Sequence, residues 1–424
     1  MTATILTNAR LIDPEAGTDT LGTLSFDDGV ITRITDEVSS VVKAIDCQGL
    51  CLAPGIIDIG VKVCEPGERH KESFRSAGQA AAAGGVTTMV IRPDTEPAVD
   101  TPEILEFVHR RATADAPVKV LPMAALTKGR LGAEMAEIGF LMDAGAVAFT
   151  DADAVTRDNK ILLRCLTYAK GLGALVITHP QEPTLSNGAT ATSGKLASKL
   201  GLPAVSPMAE RIELDRLLSL AEMTGVAMHF DQITSEPALR AFKRAKAKGL
   251  NVTAGCSIHH LTLNEIDIEG YRTFFKVKPP LRSEEDRVAM ATALADGDLD
   301  IISSMHTPQD EESKRLPFEA AASGAVALET LVPAAIRLVH AELIDLPTLW
   351  RALSLNPANL LGLPNGRLAE RAPADLVLFD PDEPFVLDRF TLKSKSKNTP
   401  FDGQRLQGRV KKTWVGGKLV HAAD

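Results

Sequence analysis

The sequence is poor in aromatic side chains, with two tryptophans, two tyrosines and 14 phenylalanines in 424 residues. Its core must therefore rest on alanine, leucine, isoleucine and valine, and a 45% share of hydrophobic residues supplies enough of them. No apolar run approaches the roughly 18 residues that a membrane span needs, and no charged-then-apolar leader opens the chain. The five cysteines, Cys47, Cys51, Cys64, Cys165 and Cys256, form neither an even disulfide framework nor a C-x-x-C pair, so reduced thiols in a cytoplasm are expected. Positive charge is also short: 46 Lys and Arg against 55 Asp and Glu leave a net charge of -9. That excludes the clustered positive field of a nucleic-acid or anionic-membrane binder. The short basic run 393–397 reads as a solvated loop.

What is present divides by texture. The first fifty residues alternate short β-like runs (3–6, 21–26, 29–34) with turns, and the last sixty return to that pattern at 374–380 and 412–420. Segments 1–53 and 366–424 are each too small to stand alone, and together they are expected to close into one small β-sandwich. Between them, 54–365 alternates apolar strands with helix-length stretches. Strands are expected at 55–63, 87–91, 119–124, 146–150, 174–178, 226–230, 252–254 and 300–303, and helices at 73–83, 131–142, 209–223 and 237–248. Eight strands alternating with helices predict an α/β protein with a (β/α)8 TIM barrel, whose chemistry would lie at the carboxyl ends of the strands.

Several stretches, in order, resemble the dihydroorotase branch of the amidohydrolase superfamily. They are Pro54-Gly55-Ile56-Ile57-Asp58, Glu65-Pro66-Gly67, Ala81 to Thr88, Phe275 to Arg282, Asn356-Pro357-Ala358, Ala372 to Leu376 and Ser394 to Phe401. The resemblance implies zinc-assisted closure and opening of a cyclic amide, with an aspartate on the last strand moving the proton. Carried over residue by residue, that chemistry is mostly missing. The two histidine ligands of the first strand correspond to Gly60 and Lys62, a later histidine ligand to Gln232, and the proton carrier to Met305. Asp151 and His179 stand at surviving ligand positions. The groups expected to hold substrate are altered as well, with Cys64, Asp94 and Lys278 in their places.

A catalytic zinc normally takes three protein ligands and keeps one position for water. With two ligand positions left, no resident cofactor is expected, and zinc belongs to the alternative of a working hydrolase with a shifted site that recruits His229 or His306. Without a metal, Asp151 is a buried carboxylate in need of a partner, and Lys62 is expected within about 4 Å of it as the replacing charge. His259-His260 reads as a hydrogen-bonded structural pair, and Cys64 as a small apolar filler rather than a nucleophile. The resemblance extends to non-catalytic bacterial homologues that scaffold aspartate carbamoyltransferase. It therefore implies a protein partner of that kind and a homodimer, with no nucleic-acid or membrane partner.

Overall fold

A computed structural model describes residues 3–38 and 44–423. The two ends of the chain meet in one eight-stranded sheet. Its N-terminal strands are Thr4–Asp13, Thr18–Asp27, Val30–Thr35, Ile45–Asp46 and Cys51–Pro54, and its C-terminal strands are Leu376–Asp380, Arg409–Val415 and Lys418–Ala422. The seam is antiparallel, with Leu376 opposite Pro54 and Phe379 opposite Cys51. Both tryptophans are used to hold this sheet. Trp414 packs edge-on to Phe26 at 6.5 Å over a core that includes Leu6, Leu24 and Leu376. On the other side Trp350 stacks on Phe379 at 4.4 Å, and its indole N–H donates to the Pro54 carbonyl at 3.0 Å. A buried indole needs that acceptor.

Two parallel sheets make up the middle. Ile56–Val61, Val86–Ile91 and Lys119–Pro122 pair in that order, and so do Val176–Thr178, Met228–Phe230, Val252–Ser257 and Ile301–Ser303. The fourth expected strand, 146–150, is reduced to parallel bridges from Phe149 to Ala124 and to Val176, which join the two sheets. At the other edge the Lys62 N–H donates to the His306 carbonyl at 2.9 Å, so the first and last strands lie side by side. The strands are mostly buried because both faces are covered, as parallel strands between helices require.

Three of the four named helices form as expected, at Phe74–Ala83, Met208–Thr224 and Glu236–Ala247. The first begins on a capping box in which the Ser73 and Ser76 side chains each accept from the other's backbone N–H. The helix expected over 131–142 is cut to Ile138–Asp143. Gly132, at φ +67°, packs against Thr156, and its N–H donates to the Thr127 hydroxyl at 2.9 Å, which holds the preceding segment as a loop. The basic run is also not a solvated loop. Ser394 and Ser396 are buried, the Ser394 hydroxyl donates to Glu72, and the Lys393 N–H donates to Glu329 at 2.8 Å. Lys393 and Lys395 are exposed, while the Lys397 ammonium turns back to donate to the carbonyls of Leu392 and Ser394, each at 2.6 Å.

Candidate functional site

The carboxyl ends of the parallel strands face a cavity of about 580 Å³, whose wall includes Arg130, Asp153, Gln181, Lys276, Lys278 and Glu319. The first strand carries Gly60 near its carboxyl end, and Lys62 follows directly after it. Gly60 has φ +98°, and a Cβ placed there would lie 2.8 Å from the Met305 sulfur. Met305 itself takes φ +46° and is buried. One thioether thus covers the ground over Gly60.

Lys62 does not pair with Asp151. Its ammonium lies 3.2 Å from Asp94 and 3.8 Å from Glu68. The correction has a physical reason, because Asp151 needs no cation. Its carboxylate accepts from the N–H groups of Leu126 (3.1 Å) and Thr127 (3.0 Å) and from the hydroxyls of Thr127 (2.7 Å) and Thr156 (3.2 Å). Burial raises its pKa, and these donors from Thr127 and Thr156 oppose the rise. A carboxylate with four donors has its lone pairs satisfied in place.

Asp94, at one of the altered substrate positions, is the hub of an internal pairing. Arg92 donates to both of its oxygens, from Nε at 3.2 Å and Nη2 at 2.8 Å, in addition to the Lys62 contact. Lys278 reaches Asp153 at 3.0 Å, and Arg130 reaches the same carboxylate at 2.9 Å. Burial works against the Asp153 anion, but Lys278, Arg92 and Arg130 hold its pKa well below the usual carboxylate range. Gln232 donates to the Lys278 carbonyl at 3.3 Å. Cys64 is buried at φ +63°, and burial pushes its thiol up to about 12, which suits a filler and not a nucleophile.

The histidines are placed as follows. His179 Nδ1 is 3.1 Å from Asp231, and His229 Nδ1 is 2.8 Å from the Thr253 hydroxyl. His306 Nδ1 accepts the Ala327 N–H at 3.2 Å, which puts its proton on Nε2, 3.5 Å from Glu72. His260 is fixed between the Ser257 hydroxyl at 2.7 Å and the Pro279 carbonyl at 3.1 Å, as a structural residue should be. His259 differs, since both of its ring nitrogens are buried without a hydrogen-bond partner among the described residues, and the ring stacks on Phe401 at 6.0 Å. Asp151 and His179 do share one narrow cavity, together with Glu213.

Sequence reasoning missed three groups here: Arg92 as the partner of Asp94, Asp153 between two cations, and Glu72 against His306. The spacing Arg92-Pro93-Asp94 at a strand end carried a signal, because it places two opposite charges on one short turn.

Burial drives His259 and His260 down to about 3 and His229 to about 4. The unfolded chain takes up these protons near pH 6.5 and the folded chain does not, so their contribution to stability is lost as pH falls from 6.5 toward 4. Asp58 and Glu329, raised by burial to about 6 and about 7, act with the opposite sign over part of that window. One histidine can be tested alone. His259→Phe keeps the stack, removes two unsatisfied nitrogens and is expected to stabilise by about 1–3 kcal/mol, more at pH 5 than at pH 7. Urea unfolding at the two pH values checks it, and a gain that does not grow toward acid would count against a neutral buried imidazole.

Comparison with known proteins defines the fold first. The solved structure of an L-hydantoinase (dihydropyrimidinase) from Arthrobacter aurescens superposes with a TM-score of 0.90, covering 100% of this chain and 96% of that one at 24% identity. This is the mixed α/β amidohydrolase fold. A family profile described as "Dihydro-orotase-like" matches residues 49–238. A "Dihydroorotase" of Wolbachia sp. subsp. Drosophila simulans is 38% identical over 98% of this chain and 95% of its own length. A "Dihydroorotase-like protein" of Pseudomonas putida is 39% identical over 100% of both. The chain belongs to the dihydroorotase-like family.

The zinc that the family resemblance implies does not fit the residues present. Among the described residues no three His, Cys, Asp or Glu side chains converge as a metal would require. Asp151 is turned onto its threonines, His179 onto Asp231, and the thioether of Met305 lies where the first strand would offer a ligand.

Proposed function

We propose that the chain is a non-catalytic dihydroorotase-like protein, serving de novo pyrimidine synthesis as a structural subunit of an aspartate carbamoyltransferase complex. The observation that carries this reading is the Met305 side chain against Gly60, because one apolar group fills both the proton carrier's position and the ground over a missing ligand. Losing a general base alone costs about 100- to 10,000-fold in rate. In this reading the parallel strands close into a (β/α)8 barrel over 54–365, while 1–53 and 366–424 make a β-sandwich. The hydrogen bond between the first and last strands supports that closure. The protein would act in the cytoplasm as a homodimer that docks the transferase.

A second reading, a cyclic-amide hydrolase with a displaced zinc, is favoured by the cavity that Asp151 and His179 share. One experiment separates the two. With excess zinc and dihydroorotate, the purified protein is expected to show no turnover above buffer and to co-elute with aspartate carbamoyltransferase. Turnover that disappears in Asp151→Ala or His179→Ala would overturn the non-catalytic reading.

A further inference from the structure

We infer that Arg92 is the resident cation of the strand mouth, a fixed guanidinium that holds and neutralises the buried Asp94 carboxylate. Arg92 follows the strand Val86–Ile91, and its N–H donates to the Val61 carbonyl at 2.9 Å, which sets it beside the first strand. Its side chain is nine-tenths buried and grips Asp94, nineteen-twentieths buried, through both carboxylate oxygens. A bidentate fork of this kind is the strongest form of the pair and fixes the guanidinium plane.

Asp94 is not its only carboxylate. Asp153, beyond the Phe149 segment, and Asp231, just after Met228–Phe230, also act on the guanidinium. Burial disfavours the charged form, and the three aspartates more than offset that cost. Each of these carboxylates has a further protein partner as well: Lys62 on Asp94, Arg130 and Lys278 on Asp153, and His179 on Asp231. The mouth is therefore neutralised by its own side chains. A divalent cation entering it would meet carboxylates already engaged and a guanidinium that repels it.

The inference goes beyond the proposed function, because a self-neutralised mouth is needed whether or not the chain turns over a substrate. Removing Arg92 alone takes the bidentate partner from the buried Asp94 carboxylate and leaves it Lys62 as its one remaining cation, whereas removing both members of the fork also removes the charge that needs compensation. Arg92→Met is expected to lower Tm by several degrees, and adding Asp94→Asn in the same chain to recover at least half of the loss. Manganese or zinc at 0.1 mM, about the scale at which weak carboxylate sites fill, is expected to raise the Tm of Arg92→Met and to leave the parent unchanged. Should Arg92→Met fail to fold, a folded double variant supports the inference and an unfolded one overturns it. A double variant no more stable than Arg92→Met, or a parent stabilised by metal as much as the variant, also overturns it. Metal-free turnover of dihydroorotate would sink the non-catalytic reading and leave the role of Arg92 standing.

Discussion

Replacing Arg282 by methionine is expected to destabilise the protein by about 3–5 kcal/mol, the range for breaking a buried ion pair by removing one partner. The Arg282 and Glu210 side chains are 2% and 0% exposed, and they meet at 2.9 Å. Glu210, on the helix Met208–Thr224, also accepts from the Thr234 N–H at 2.8 Å, the Ser235 N–H at 3.0 Å and the Gln181 amide at 3.0 Å. Arg282 in turn donates to the hydroxyls of Thr234 at 3.0 Å and Thr192 at 3.3 Å. One carboxylate and one guanidinium therefore tie together the loops that follow three neighbouring strands, and the loops carrying Gln181 and Gln232 depend on them. Urea unfolding checks the size of the effect, with Arg282→Met plus Glu210→Gln expected to recover most of the loss because the stranded charge is then gone. The exposed pair Lys199–Glu269 is the control. Its side chains are 68% and 53% exposed, and Lys199→Met is expected to leave the unfolding midpoint where it is. A loss at Arg282 no larger than at Lys199 would mean that burial does not set the energetics of this mouth.

The sequence made the framework readable because apolar runs, breaks and family motifs all pointed the same way. The strand Leu376–Asp380 announced itself as a short β run in an end segment, whereas its partner Cys51–Pro54, more than 300 positions away, was not marked as a strand of its own because it runs almost directly into the first parallel strand. Phe149 was legible as part of a strand but not as the one residue of it that keeps bridges, since hydrophobicity does not report how many residues keep ladder geometry. The loop before Ile138–Asp143 was misread as helix because its apolar spacing is helical, while the Gly132 contact with Thr156 that opposes helix is a long-range fact. Lys62 was identifiable as an anomalous charge at the end of a buried strand. Its partner was not, since a strand position fixes a Cα and leaves a four-carbon side chain free to choose among carboxylates. The choice has a reason in topology: Asp94 follows the adjacent second strand, whereas Asp151 follows the fourth and is already satisfied by Thr127 and Thr156.

Gly60→Ala is expected to cost about 2–6 kcal/mol, from two separable sources. A φ of +98° lies where side chains with a Cβ are strained, which accounts for about 1–3 kcal/mol. The new methyl would also stand 2.8 Å from the Met305 sulfur, and forcing that thioether aside adds overpacking of about 1–3 kcal/mol. Met305→Ala creates room, so the double variant is expected to recover the second contribution and keep the first. The unfolding free energies of the two single variants and the double variant separate them, and full additivity would show that the contact between positions 60 and 305 carries no energy. The same geometry governs any attempt to install a metal ligand on the first strand. A histidine at 60 needs its Cβ in the space the thioether fills, so His at 60 and Met at 305 exclude each other. Gly60→His alone is thus expected to lose more stability than Gly60→Ala and to gain no metal. Only a chain that also gives up the Met305 side chain, and frees Lys62 from Asp94, presents that strand to a cation.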